Sequence, residues 1–145
     1  MDRVDRLIIS LLQENARTSL SEISSKVSLS VSAVSERIRK LESSGLIKCY
    51  TAILDPHAFK RDFCVLLFVK LTGPAFPQEL QDFVRSRSEI VECYTLAGSY
   101  DLGIKVLTES QTTFETFVND LRALPHIVTV DCQMVLSVFK TDYSF

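Results

Sequence analysis

The sequence predicts an α+β fold in two units: three short helices over residues 1–49, then an antiparallel sheet backed by two helices over residues 61–145. An ordered linker strand at 50–60 joins them. Three observations lead there. Apolar residues recur at helical spacing as far as Leu41 and at strand spacing from Phe63 onward. Asp55-Pro56 breaks the chain between the two regimes, with no Gly/Ser-rich stretch, so the connection should be stiff. After the break the periodic segments run β-α-β-β-α-β, an order that closes into one sheet with both helices on one face.

The first helix starts near Asp2, with Asp5 three residues on, and carries Val4, Leu7, Ile8, Leu11 and Leu12 as an amphipathic stripe. Ser19-x-x-Glu22 is a capping-box start for the second. Lys26 to Leu29 makes a tight turn, and Ser30 is the N-cap candidate of a third helix with Val31, Val34, Ile38 and Leu41 on one face. Gly45 is placed to stop it, since glycine takes the left-handed conformation at little cost. The linker segment LIKCYTAIL alternates Tyr50, Ala52 and Leu54 like a strand. Strands are then expected at Phe63–Leu71, Ile90–Ala97, Leu102–Thr108 and Val128–Lys140, with helices at Pro77–Arg87 and Ser110–Leu124. Gly73-Pro74 falls in the first loop and Pro125 ends the second helix. The whole is a helix-turn-helix unit followed by a ferredoxin-like βαββαβ unit.

The charge is unevenly divided. Residues 1–60 carry nine Lys/Arg and seven Asp/Glu, net +2, whereas residues 61–145 carry seven and eleven, net −4. A mildly basic segment on an acidic body suits binding of a polyanion by the first unit only. Cys49, Cys64, Cys93 and Cys132 are far apart, with no C-x-x-C and two histidines in the chain, which argues against a metal site. The last three lie in apolar strand-like runs and read as buried thiols in a reducing compartment. MDRVDR has no signal-peptide core and Phe63–Val69 is too short to span a bilayer, so a cytoplasmic protein is expected, with no membrane partner and no cofactor.

The third helix carries the functional signal. Opposite its apolar stripe lie Ser32, Ala33, Glu36, Arg39, Lys40 and Ser43, with Arg37 at the flank. Small residues in the first turn and cations in the later ones suit a helix whose slim end approaches base edges in a major groove while Arg and Lys reach phosphates. A plain helical hairpin with a solvated charged face has the same pattern. In the second unit, Phe63–Val69 is apolar on both faces, and Val135 and Phe139 add to the side away from the helices. A second copy covering that face explains this, and so would the first unit folding over it. The turn Gly98-Ser99-Tyr100-Asp101 gathers backbone amides, a hydroxyl, a phenol and a carboxylate, although a simple hairpin turn needs nothing more.

Taken together, DRVDRLIISLLQENAR, LSEISSKVSLSVSAVSERIRKLESSGLIKCYTAILDP and LAGSYDLGIKV resemble the leucine-responsive/asparagine-sensing (Lrp/AsnC) family of bacterial and archaeal transcription regulators over nearly the whole length. The resemblance implies promoter DNA as a partner and an effector, most often an amino acid. It also implies homodimers that assemble into tetramers or octamers. It places Ser30, Ser32, Ala33, Glu36, Arg37, Arg39 and Lys40 toward double-stranded DNA and Gly98, Ser99, Tyr100 and Asp101 toward the effector at a contact between subunits. Asp101 would then hold an ammonium and the turn amides a carboxylate. There are three kinds of departure from many relatives: Cys49 and Lys60 stand where glycines are common, His126 follows Pro125 where glycine is common, and Val130 and Cys132 stand where relatives that bind amino acids often carry hydroxyl residues. Two other functions fit the same architecture. One is an enzyme resembling porphyrin-modifying decarboxylases, which needs His126, Arg61, Arg85, Arg87 or Arg122 to converge. The other is a sensing module without operator binding, suggested by the acid Glu36 on the groove face.

Overall fold

The computed structural model describes residues 1–73 and 75–141; Pro74 of the expected loop and the last four positions of the expected second unit lie outside them. The chain divides into two compact units, one formed by Met1–Ile53 with the segment from Lys140, the other by Leu54–Phe139. Each has its own apolar core.

In the first unit, α1 (Arg3–Glu14), α2 (Leu20–Val27) and α3 (Val31–Ser43) pack around Ile8, Leu11, Ile23, Val34 and Leu41. The local signals act as their chemistry dictates. Asp2 and Asp5 form a full capping box, each carboxylate accepting from the other residue's N–H at 2.8 and 3.0 Å. Ser19 accepts the Glu22 N–H, but the Glu22 carboxylate turns to Lys26 instead of reaching back. Ser30 caps α3 by accepting the Ala33 N–H. Gly45, at φ 75°, ends α3, and the Leu41 carbonyl accepts from both Leu46 and Ile47. Val31 is exposed, so the inward stripe of α3 begins at Val34.

The expected linker strand at 50–60 does not form. Residues 48–55 have no regular structure and Pro56–Phe59 is a 3₁₀ turn, capped by Asp55 accepting the His57 N–H and closed by Lys60 at φ 52°. The alternating pattern is that of a strand, but a strand needs a neighbour for its N–H and C=O groups, and no described segment pairs with this one.

The second unit holds β1 (Phe63–Leu71), α4 (Gln78–Ser86), β2 (Ile90–Thr95), β3 (Leu102–Thr108), α5 (Gln111–Arg122) and β4 (Ile127–Met134). The strands lie in the order β2-β3-β1-β4, all antiparallel. Val65, Leu67, Val69 and Leu71 alternate inward from β1 to meet Leu80 of α4 and Phe117, Val118 and Leu121 of α5. The last strand is shorter than expected: past Met134 the Val135 N–H still bonds the Cys64 carbonyl, but Leu136, Val138 and Phe139 stand exposed. Cys64 and Cys93 are only half-buried and Cys132 is exposed, which corrects the buried-thiol expectation. Cys132 sits on an edge strand, where one side has no neighbour. Partial burial still pushes these three thiols up, so they stay protonated at neutral pH.

Two departures from glycine now have a backbone meaning. Lys60 and His126 both occupy the left-handed region, at φ 52° and 74°, where a Cβ is strained. His126→Gly should therefore stabilise the second unit by about 0.5–1 kcal/mol, the relief of strain being partly offset by glycine's freedom in the unfolded chain. Thermal unfolding should show a midpoint a few degrees higher; an unchanged or lower midpoint would mean that the 3.3 Å contact between His126 and Thr72 outweighs the strain.

Candidate nucleic-acid interface and effector turn

The short turn between α2 and α3 passes through Ser28 at φ 55°, with Ser24 donating its hydroxyl to the Leu29 carbonyl at 2.5 Å. This fixes α3 with Val34 and Leu41 buried and the opposite side open. Ser30, Ser32, Arg39 and Lys40 are exposed, Ala33 and Glu36 half-exposed. Ser35 joins them. It is exposed, and at i+3 from Ser32 and i−4 from Arg39 it belongs to the same face, which a helical wheel centred on Val34 alone under-weights.

Arg37 is not on that face. Its Nη1 donates to Asp2 at 2.7 Å and to Asp5 at 2.6 Å, which anchors α3 to the start of α1. In the chain without DNA its guanidinium is thus engaged with α1 and not turned out with Arg39 and Lys40: two aspartates that cap one another would repel, and the guanidinium relieves them. The Asp5 N–H, and then Arg37, hold the Asp2 carboxyl below its ordinary pKa; the Asp2 N–H and Arg37 do the same for Asp5. A carboxyl with a lowered folded pKa contributes stability that is present above its unfolded pKa and lost as pH falls through the folded one. Arg37→Met should thus lower the melting temperature of the helical unit at neutral pH and flatten its loss of stability in acid. Circular-dichroism melts at neutral and acid pH check both signs.

In the second unit the turn at residues 96–101 is tied down at one end. The Leu96 N–H donates to the Asp101 carbonyl at 2.8 Å, and the Asp101 N–H to the Val69 carbonyl at 2.9 Å. The Asp101 carboxylate accepts the Leu71 N–H at 2.7 Å and pairs with Lys70 at 3.2 Å, so it stands in for a strand carbonyl at the end of β1. These bonds, led by that from Leu71, lower its pKa. Its charge is already used within the chain, so it positions the turn. The Tyr100 hydroxyl donates to Asp131 on β4, and its ring lies 5.6 Å from that of Phe68. Ala97, Gly98 and Ser99 project freely; a Cβ on Gly98 would meet nothing. The positions expected to carry hydroxyls behave differently: Val130 is buried and Cys132 exposed.

Four of the five groups that porphyrin chemistry would need already have partners within the chain. Arg87 pairs with Asp120 at 2.5 Å, Arg61 donates to the Ser88 carbonyl, Arg122 to the Val130 carbonyl, and His126 touches Thr72. Among the described residues, no three His, Cys, Asp or Glu side chains gather as a metal site, and no helix is long and apolar enough to cross a membrane.

Residues 1–48 match the family model for winged helix-turn-helix DNA-binding, and residues 63–145 match the Lrp/AsnC ligand binding domain. The chain is 33% identical over 140 residues to the HTH-type transcriptional regulator FL11 of Pyrococcus horikoshii, covering 97% of this chain and 92% of that one. It is 32% identical over 145 residues to the leucine-responsive regulatory protein of Escherichia coli K12, covering 97% and 87%. A Neisseria meningitidis transcriptional regulator solved as a complex with L-methionine superposes with a TM-score of 0.93 at 27% identity, covering 100% of this chain and 96% of that one. With a DNA-binding helix-turn-helix in front and a ligand-binding domain behind, the chain belongs to the Lrp/AsnC family of transcription regulators.

Proposed function

We propose that this regulator binds promoter DNA sequence-specifically as a homodimer or larger assembly, and that a small amino acid or a molecule like one modulates it at a contact between subunits. The observation that carries the reading is the outward face of α3: Ser32, Ala33 and Ser35 keep its first turns slim while Arg39 and Lys40 stand exposed, within reach of phosphate. Ser30, Ser32, Ala33, Ser35, Glu36, Arg39 and Lys40 form the DNA face, with Arg37 behind them as the clamp. The half-exposed Phe68 and exposed Leu66 on the open sheet face, with exposed Leu136, Val138 and Phe139 beyond β4, support pairing of copies through that side.

The effector turn is Gly98, Ser99, Tyr100 and Asp101. The projecting Gly98 and Ser99 present N–H groups to a carboxylate, and Asp131, held by the Tyr100 hydroxyl, is better placed than Asp101 to take an ammonium. With a thiol at the exposed Cys132 in place of a hydroxyl, and Val130 in the core, an effector with an apolar side chain fits this chain best. A mobility-shift titration against the DNA upstream of its own gene, with and without L-methionine or L-leucine, tests the reading. Saturable, competitor-resistant binding whose midpoint or stoichiometry the amino acid changes is expected; binding that random DNA competes away equally well rejects it.

A further inference from the structure

Glu36 is the one acid on the DNA face of α3, and it is not idle. One carboxylate oxygen accepts from Arg39 Nη2 at 2.5 Å and the other lies 3.7 Å from Lys40 Nζ. One acid thus holds both cations on which the groove reading above depends, while the third cation of the helix, Arg37, is committed to α1. The Arg39 and Lys40 side chains remain 74% and 73% exposed and that of Glu36 45% exposed, so water and salt screen both pairs. We infer that Glu36 is a specificity-determining residue: it competes with phosphate for Arg39 and Lys40, restraining binding to arbitrary sequence, and reads a cytosine once DNA has drawn the two cations away.

The energetics suit a competitor of this kind. An exposed ion pair shifts an equilibrium by a factor of roughly 1.5–5. Two such pairs do not prevent a favourable complex, but they weaken every complex that relies on phosphate alone. Non-specific binding consists almost wholly of phosphate contacts, so it bears the full penalty. In a specific complex the freed carboxylate has something to recover. An ionised carboxylate only accepts hydrogen bonds, and the cytosine N4 amino group offers a donor in the major groove with no acceptor beside it on the same base; adenine N6 also donates but stands next to the N7 acceptor, and guanine O6 and N7 and thymine O4 are acceptors that repel a carboxylate.

Glu36→Gln removes the charge and keeps the size and the helix propensity. Its binding to a random-sequence duplex and to sites selected from a randomised pool, each across a KCl series, tests the inference. Non-specific affinity should rise roughly three- to tenfold for each bound helix, and the slope of log affinity against log salt should steepen by about 0.9 to 1.8 per bound helix, as one or two cations of each become available to phosphate. One position of the selected site should move from cytosine toward adenine, which glutamine reads with two hydrogen bonds. Glu36→Ala should share the rise and the steeper slope without gaining the adenine preference. Adding Arg39→Gln to Glu36→Gln should cancel about half the steepening. If the wild type binds a selected site while Glu36→Gln changes neither non-specific affinity nor slope, the competition does not exist. If the wild type binds no duplex at any salt, the groove reading itself fails and this inference with it. Unchanged helical circular dichroism in each variant keeps misfolding apart from all of these outcomes.

Discussion

A double variant, Arg39→Ala with Lys40→Ala, should lose two orders of magnitude or more of DNA affinity at low salt, and the loss should shrink as salt rises. Both side chains stand on the exposed side of α3, and neither contributes to the core built on Ile8, Leu11, Ile23, Val34 and Leu41. The helix should therefore remain folded while its hold on phosphate disappears. The slope carries more information than the affinity. Each phosphate left without its cation flattens the log–log salt dependence by roughly 0.9, so a single bound reader loses about 1.8 and two readers held together lose about 3.6. Titration over a KCl series thus counts the helices that act on one duplex. A loss of affinity independent of salt would show that these residues act through folding instead. Two readers would also require half-sites about one helical turn apart or a multiple of it.

The second large effect is on stability. Phe117, only 2% exposed, packs against Phe83 with ring centroids 5.8 Å apart and is among the largest fully buried side chains in the chain. Phe117→Ala should cost about 3–5 kcal/mol, the removed transfer energy plus the cavity left beneath the sheet. That loss should fall on the second unit alone, since the two cores have no residue in common. Unfolding followed by amide exchange should show early loss of protection in β1, β3 and α5 with α1–α3 unchanged. The same variant should show the single-reader salt slope, because the surface proposed to pair copies belongs to the unit that fails. Coordinated loss of protection in both units would refute independent cores.

What could be read in the sequence was whatever depends on local periodicity and capping. Asp2, Ser19 and Ser30 all cap the helices expected of them, and the strands expected at Phe63–Leu71 and Leu102–Thr108 form over those same residues. What could not be read depends on partners that lie far along the chain. Arg37 looked like its neighbours Arg39 and Lys40; only the fold brings Asp2 and Asp5 to it across more than thirty residues. Asp101 looked like a ligand for an ammonium, and nothing local says that the Leu71 N–H will take it. The linker failed for the opposite reason: its alternation is a true strand signal, but a strand is completed by a neighbour, and none of the described residues supplies one. Ser35 was missed because serine carries no charge to draw attention, although its spacing from Ser32 and Arg39 was available.

The separation of the two cores has a consequence for descent as well as for folding. A substitution in one core alters no side chain that the other relies on, so the part that meets DNA and the part that senses can drift at different rates. An exchange of front halves between relatives has to be compatible where the chain passes from one unit to the other, around Ile53 and Leu54 and again around Phe139 and Lys140. A lineage can in this way acquire a new operator without relearning its effector, or a new effector without giving up its operators.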